Sequence, residues 1–195
     1  MVDIARKRAT YAEYLSFTAT SELKYEYIDG AIVAMSGGTI AHGRLIGRVT
    51  ALVGRALEGR PCIVLPAEVR VRIRAADRAT YPDLFVVCDG VEPDPDDDHS
   101  VVNPTVIVEV LSSSTADSDR GDKFAAYRRL RSLREYVLVS QLERRIDVYR
   151  RDGRRWQLDE YRPGEAFALE SIAVQLAVQL AVDEIYADAL GAIVA

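Results

Sequence analysis

The chain has 195 residues, enough to bury one sizeable core, and the expectation is a single domain over residues 1–195. Apolar residues make up 49% and charged residues 28%, the balance of an ordinary water-soluble globular protein. No apolar run approaches the ~20 residues needed to span a bilayer. The net charge of −5 excludes a blanket attraction to nucleic acid but not a local one.

The N-terminal "MVDIARKRAT" carries positive charge with no apolar segment behind it, so no secretory signal is expected and the expected location is the cytoplasm. Strands are expected at 24–28 and 31–35, on either side of the hairpin pair Asp29-Gly30. "SGGT" breaks the chain. Leu45, Ile46, Val49, Leu52, Val53 and Leu57 then recur at helical spacing, and Gly59 suits the end of that helix. "CIVLPAEVRVRI" and "YPDLFVVCD" read as two strands joined by the polar "RAADRAT". Cys62 and Cys88 lie in these apolar runs, belong to no CxxC pair and are expected to be buried free thiols. With His42 and His99 they cannot build a zinc site.

The acidic "GVEPDPDDDHSVVNP" reads as a loop, "TVIVEVLS" as the next strand, and "SSTADSDRG" as a loop leading into a helix at "DKFAAYRRLR". "REYVLVSQLERRIDVYRRDGRRWQL" reads as three strands, with Val137, Val139, Ile146 and Val148 carrying the alternation and Asp152-Gly153 at the second turn. Residues 128–155 hold ten arginines. The tail, with its tandem "AVQL", is expected to close the core as a strand or helix. The elements add up to a mixed α/β domain with strands before and after a central helix.

One residue interrupts the most apolar of these strands. Glu109 sits in "TVIVEV" and shares its face with Ile107 and Leu111. A buried carboxylate costs several kcal/mol unless a cation, a hydrogen-bond network or a metal compensates it. Asp83 has a similar setting, following Tyr81-Pro82 at the start of a strand that a proline can open. If the two strands are neighbours, Asp83 and Glu109 converge, and with the carbonyl of Val110 and waters they make a suitable magnesium shell. Lysine is scarce here, three residues against 22 arginines, which draws attention to Lys123, 14 residues after Glu109. Asp119, Lys123 and Tyr127 at i, i+4 and i+8 share one helix face, so the ammonium can return over the strand end. A surface Asp–Lys pair, and a Glu109–arginine ion pair, are the structural alternatives.

The pattern "YPDLFVV … PTVIVEVLSSST … DRGDKFAAYRRL … EYVLVS … RRIDVYRR" resembles the Uma-type restriction-endonuclease-like family of the PD-(D/E)XK nuclease superfamily, and "YEYIDGAIVAMSGGTIAHGRLI" resembles that family's N-terminal segment. The resemblance covers about residues 10 to 185. It implies a restriction-endonuclease-like α/β (α+β) fold, a central mixed β-sheet flanked by helices. It also implies Mg²⁺- or Mn²⁺-dependent hydrolysis of DNA phosphodiester bonds. Carried over by position, Asp83 and Glu109 are the two acidic residues that hold metal, and Lys123 replaces the lysine that the superfamily places two residues after the second acid, where this chain has Leu111. Glu26 and His42 match the N-terminal motif; Glu26 is a further candidate carboxylate and His42 a capping or packing histidine.

The first functional reading is therefore a metal-dependent endonuclease, with the arginine-rich 128–155 segment tracking the phosphate backbone and a homodimer, helped by an exposed apolar tail, suited to cutting both strands. The alternative is a nucleic-acid-binding or interaction module of the same fold with weak or no cleavage. A third is an unrelated α/β protein in which Glu109 pairs with an arginine.

Overall fold

The computed structural model describes residues 8–113, 115–172 and 178–187. Helix α1 (Tyr11–Thr18) begins on a capping box in which Thr10 accepts from the Glu13 amide and the Glu13 carboxylate accepts from the Thr10 amide. The expected hairpin is present. Asp29 and Gly30 take φ values of 47° and 81°, and Ile28 faces Ala31, so a two-residue loop joins β1 (Tyr25–Ile28) to β2 (Ala31–Ala34). Helix α2 (Ile40–Ala56) starts at the Thr39 cap and buries Leu45, Val49, Leu52 and Val53, the apolar stripe read from the sequence.

The run 62–73, expected as one strand, is two. β3 (Cys62–Pro66) and β4 (Arg70–Ile73) enter different sheets. "RAADRAT" is correspondingly more than a connector. Asp77 takes a left-handed φ of 48° and reverses the chain, so that β5 (Arg78–Thr80) folds back on β4 before β6 (Leu84–Cys88) begins. The acidic stretch expected as a loop holds β7 (Pro93–Asp94) and β8 (Asp97–Val101). Its buried acids are neutralised by arginines far back in sequence: Arg74 donates to both oxygens of Asp94 at 2.6 Å, and Arg70 to both oxygens of Asp97 at 3.0 and 2.7 Å.

From β9 (Val106–Leu111) the chain crosses over through α3 (Ala116–Ser118), a π-helical turn (Asp119–Lys123) and α4 (Phe124–Tyr127) to β10 (Glu135–Ser140), which lies parallel to β9. The helical path thus starts inside the stretch expected as a loop. β11 (Ile146–Asp152), β12 (Arg155–Tyr161), the small β13 (Ala166–Leu169) and β14 (Val178–Ala181) pair, and α5 (Val182–Tyr186) complete the described chain. The central sheet has the order β12-β11-β10-β9-β6-β3 and is mixed, as expected; a second sheet runs β2-β1-β5-β4-β8-β7.

β9 divides the interior by its alternation. Val106, Val108 and Val110 pack with α2 and α5, whereas Ile107 and Leu111 pack with Phe124, Tyr127 and Leu130 on the other face. Leu180, Val182, Ile185 and Tyr186 belong to the first of these cores. These apolar residues of the described part of the tail are therefore buried rather than an exposed surface, and residues 173–177, with the first of the tandem "AVQL" units, and 188–195 lie outside the described residues. Cys62 and Cys88 are not free thiols: they are directly opposed in the β3–β6 ladder, 4.0 Å apart at Cα, and form a disulfide. A separation of 26 residues kept that pairing out of sight in the sequence. Among the described residues, no helix is long and apolar enough to cross a membrane.

Arg70 and Asp97 are almost wholly buried, and Asp97 is further held by the Tyr11 hydroxyl at 2.8 Å and by Ser100. Replacing Arg70 by leucine leaves an uncompensated buried carboxylate. We expect a loss of about 3–5 kcal/mol in urea unfolding, of which the Arg70→Leu/Asp97→Leu double variant recovers a large part.

Candidate active site

Strand register brings the two carboxylates together. β6 runs antiparallel to β9 with Leu84 opposite Val108, so Asp83, one residue before the ladder, falls beside Glu109. Pro82 has no N–H to offer a ladder and sits at this entry without cost. Asp83 Oδ2 accepts from the Val110 amide at 2.7 Å, and the Asp83 amide reaches Glu109 Oε2 at 3.4 Å.

The crossover brings the lysine. Lys123 Nζ lies 2.8 Å from Glu109 Oε1 and 3.4 Å from Asp119 Oδ1. Asp119 and Lys123 bound the π turn, a rare local widening of a helix that often marks functional positions. One turn on, the Tyr127 hydroxyl donates to Glu109 Oε1 at 2.9 Å and contacts the Thr80 hydroxyl at 3.0 Å, while the Tyr136 hydroxyl donates to the Asp119 carbonyl at 3.0 Å. The shared face of Asp119, Lys123 and Tyr127 read from the sequence is thus real, and it faces Glu109. The cation beside Glu109 is a lysine and not the arginine of the structural alternative.

Two N-terminal residues complete the walls. Glu26 on β1 accepts from the Tyr81 amide at 3.1 Å, and His42 Nε2 lies 3.2 Å from Asp83 Oδ1. Together with Met35, Tyr81, Val110 and Thr115 these side chains line a cleft of about 230 Å³. Thr80, which meets Tyr127, was not singled out in the sequence; nothing local distinguishes it from other strand threonines.

Four carboxylates, those of Glu26, Asp83, Glu109 and Asp119, surround one ammonium in this cleft. Burial and the excess of negative charge together set the two shifts at its centre. Burial pushes Glu109 up to about 8; Lys123 pulls it back, and the charges of Asp83 and Asp119 push it further up. Burial alone would lower Lys123, but Glu109, Glu26 and Asp119 outweigh it and hold the ammonium well above the ordinary lysine value. Lys123 therefore keeps its proton, and Glu109 is only 3% exposed. Burial and the nearby Glu109 also raise Tyr127, which stays a hydroxyl donor. The hydrogen bond to Asp83 raises His42 against the opposing effect of burial.

The arginine-rich segment is not part of this cleft. None of the arginines of 128–155 lines it among the described residues. Arg150 and Arg151 lie at the far end of the central sheet, where Arg150 faces Glu135 and Glu135 faces Val106. Val106 is three residues before Glu109, about 10 Å away at the rise of a strand. Several are also engaged internally: Arg145 with Asp147, Arg150 with Glu135 and Asp159, and Arg151 with the carbonyls of Arg128 and Leu130. Among the described residues, no group of three or more His, Cys, Asp or Glu side chains is placed to hold a metal ion unaided.

The family profile of Uma2, described as "Putative restriction endonuclease", matches residues 11–183. Two uncharacterized proteins of Synechocystis sp. are similar over most of their length. One is 34% identical over 172 residues, covering 86% of this chain and 88% of the relative; the other is 32% identical over 161 residues, covering 82% and 91%. A solved structure, described as a putative nuclease belonging to DUF820 from Anabaena variabilis, shares the fold with a TM-score of 0.72 at 17% identity, over 91% of this chain and 98% of that one. By the extent of the profile match and the identity of its relatives, this chain belongs to the Uma2 family.

Proposed function

We propose that this protein is a divalent-cation-dependent endonuclease that hydrolyses DNA phosphodiester bonds in the cleft between Asp83, Glu109 and Lys123. Family and fold both support a nuclease. The observation that carries the finer reading is the convergence of two carboxylates from adjoining strands with a buried lysine, 2.8 Å from one of them. The donor set fits Mg²⁺ or Mn²⁺. The cleft has surplus negative charge and hard oxygen donors, and magnesium commonly takes only one or two carboxylates and keeps several waters, so a closed protein cage is not required. Asp83 and Glu109 would hold the ion with the Val110 carbonyl, and Glu26 stands at the wall as a further carboxylate. When bound, the ion neutralises charge on the phosphate and lowers the pKa of water.

The chain's own groups have separable tasks. The Val110 amide holds the Asp83 carboxylate through Oδ2. Tyr127 and Lys123 fix the Glu109 carboxyl through Oε1, which leaves its Oε2 facing Asp83. Lys123, held protonated by its carboxylate neighbours, is the cation available to the charge that develops on a phosphoryl oxygen. One observation favours a binding module without efficient cleavage: Glu109 Oε1 is already engaged by both Lys123 and Tyr127. Cleavage assays decide between the two readings.

Calorimetric titration with Mn²⁺ is expected to show binding to the wild type and none to the Asp83→Ala/Glu109→Ala variant. Binding to neither, with no cleavage of plasmid DNA in Mg²⁺, would sink the metal reading. Glu109→Gln should abolish Mg²⁺-dependent cleavage in a folded protein. Lys123→Ala should slow cleavage by roughly 10²–10³-fold while metal binding persists, measured as single-turnover rates beside calorimetry. The carboxyl of Glu109 also sets a stability slope. Its folded value of about 8 lies above the ordinary 4.5, so its contribution is fully present below 4.5 and is lost as pH rises through 8. Without metal, wild-type stability should fall across that window, and Glu109→Gln should flatten the fall in urea unfolding measured across pH.

A further inference from the structure

Asp83 is held from two sides. Its Oδ2 accepts from the Val110 amide at 2.7 Å, and its Oδ1 lies 3.2 Å from His42 Nε2. A carboxylate can only accept, so Nε2 carries the proton and donates. The histidine is itself fixed. Its amide donates to the Thr39 hydroxyl at 3.1 Å, and that hydroxyl donates to Gln141 Oε1 at 3.2 Å, tying the first turn of α2 to the residue that follows β10. A side chain at Gly38 would place its Cβ 2.6 Å from His42 Cδ2 and 3.2 Å from Cγ, so the ring occupies space that only glycine leaves open. The glycine of "SGGT" that first read as a chain break is thus the wall against which the imidazole rests.

A capping residue needs none of this. The Thr39 hydroxyl supplies the cap of α2, and the imidazole takes no part in it. His42 Nδ1 is buried and has no hydrogen-bond partner among the described residues, so the only directed interaction of the ring is with Asp83. Asp83 needs such a hold. It is the more exposed of the two converging carboxylates and shares the cleft with Glu26, Glu109 and Asp119, whose charge favours its swinging outward.

We propose that His42 is a positioning residue that clamps Asp83 in the orientation the active site uses, and that Gly38 is the residue that keeps the clamp closed. The proposal rests on the reading of Asp83 as an ion-holding carboxylate, but the clamp can be tested apart from it. The experiment compares wild type, His42→Ala, His42→Gln and Gly38→Ala by three measurements: the Val110 amide resonance in a ¹⁵N-resolved spectrum, Mn²⁺ affinity by calorimetry, and kcat and KM for DNA cleavage. His42→Ala and Gly38→Ala are expected to shift the Val110 amide. They should also weaken Mn²⁺ binding roughly 10–100-fold and lower kcat with KM little changed. His42→Gln retains an N–H donor and should restore much of each. A role confined to packing lowers thermal stability but leaves the Val110 amide in place, and that result in His42→Ala or Gly38→Ala overturns the proposal. If wild type neither binds metal nor cleaves, the nuclease reading fails, and the Val110 resonance still decides whether His42 holds Asp83.

Discussion

A carboxylate in the interior of a β-sheet is the constraint on which the centre of this fold depends. Glu109 lies in a six-residue strand that is buried throughout, between two apolar cores. Its charge has to be met within the protein, and every element that touches it contributes to doing so. β6 starts in register to bring the Asp83 amide, β5 brings Thr80 to Tyr127, and the crossover brings Tyr127 and Lys123. Compensation is incomplete, because three further carboxylates stand around the same ammonium. A fold optimised for stability alone would have an apolar residue at 109. The residual negative charge is what the proposed divalent cation would neutralise.

The basic residues divide by task. The arginines largely serve structure: Arg70 and Arg74 neutralise the buried acids of the β7–β8 hairpin, and Arg150 bridges Glu135 and Asp159. The planar fork of arginine suits such bidentate pairing, whereas lysine is a compact point charge. Lys123 is the lysine placed in the cleft, which accounts for its presence in a chain that otherwise prefers arginine. Linear clustering of the arginines in 128–155 says nothing about which end of a sheet each one occupies. Arg150 lies two strands from Glu109 and at the opposite end of the ladder.

Where local pattern was the physical cause of structure, the reading of the sequence succeeded. The Asp29-Gly30 turn, the apolar stripe of α2 and the alternation through Val137, Val139, Ile146 and Val148 each reflect a periodicity or a backbone conformation confined to a few residues. Helix α1 belongs to this class too; "TYAE" carries the capping box that starts it, a signal that was present and unused. The errors share another cause. "CIVLPAEVRVRI" is rich in strand-forming residues on both sides of Pro66, and residue type alone does not say that its two halves join different sheets. The acidic loop became strands because Arg70 and Arg74 lie beside it in space and not in sequence. Cys62 and Cys88 are paired by register, which no spacing rule for cysteines contains.

The sequence by itself determined the class of the fold, the family, and the short list of residues with chemistry to offer: Asp83 opening a strand, Glu109 within one, and Asp119, Lys123 and Tyr127 on one helical face. These follow from residue type and from periods of two and 3.6, which act over a few neighbours. The tertiary structure alone decided which of these groups touch. It placed Lys123 rather than an arginine on Glu109, turned His42 from the start of a helix onto Asp83 with Gly38 behind it, and put Arg150 and Arg151 at the far end of the sheet. Those pairings depend on strand register and on the path of a crossover, long-range properties set by the packing of the whole chain.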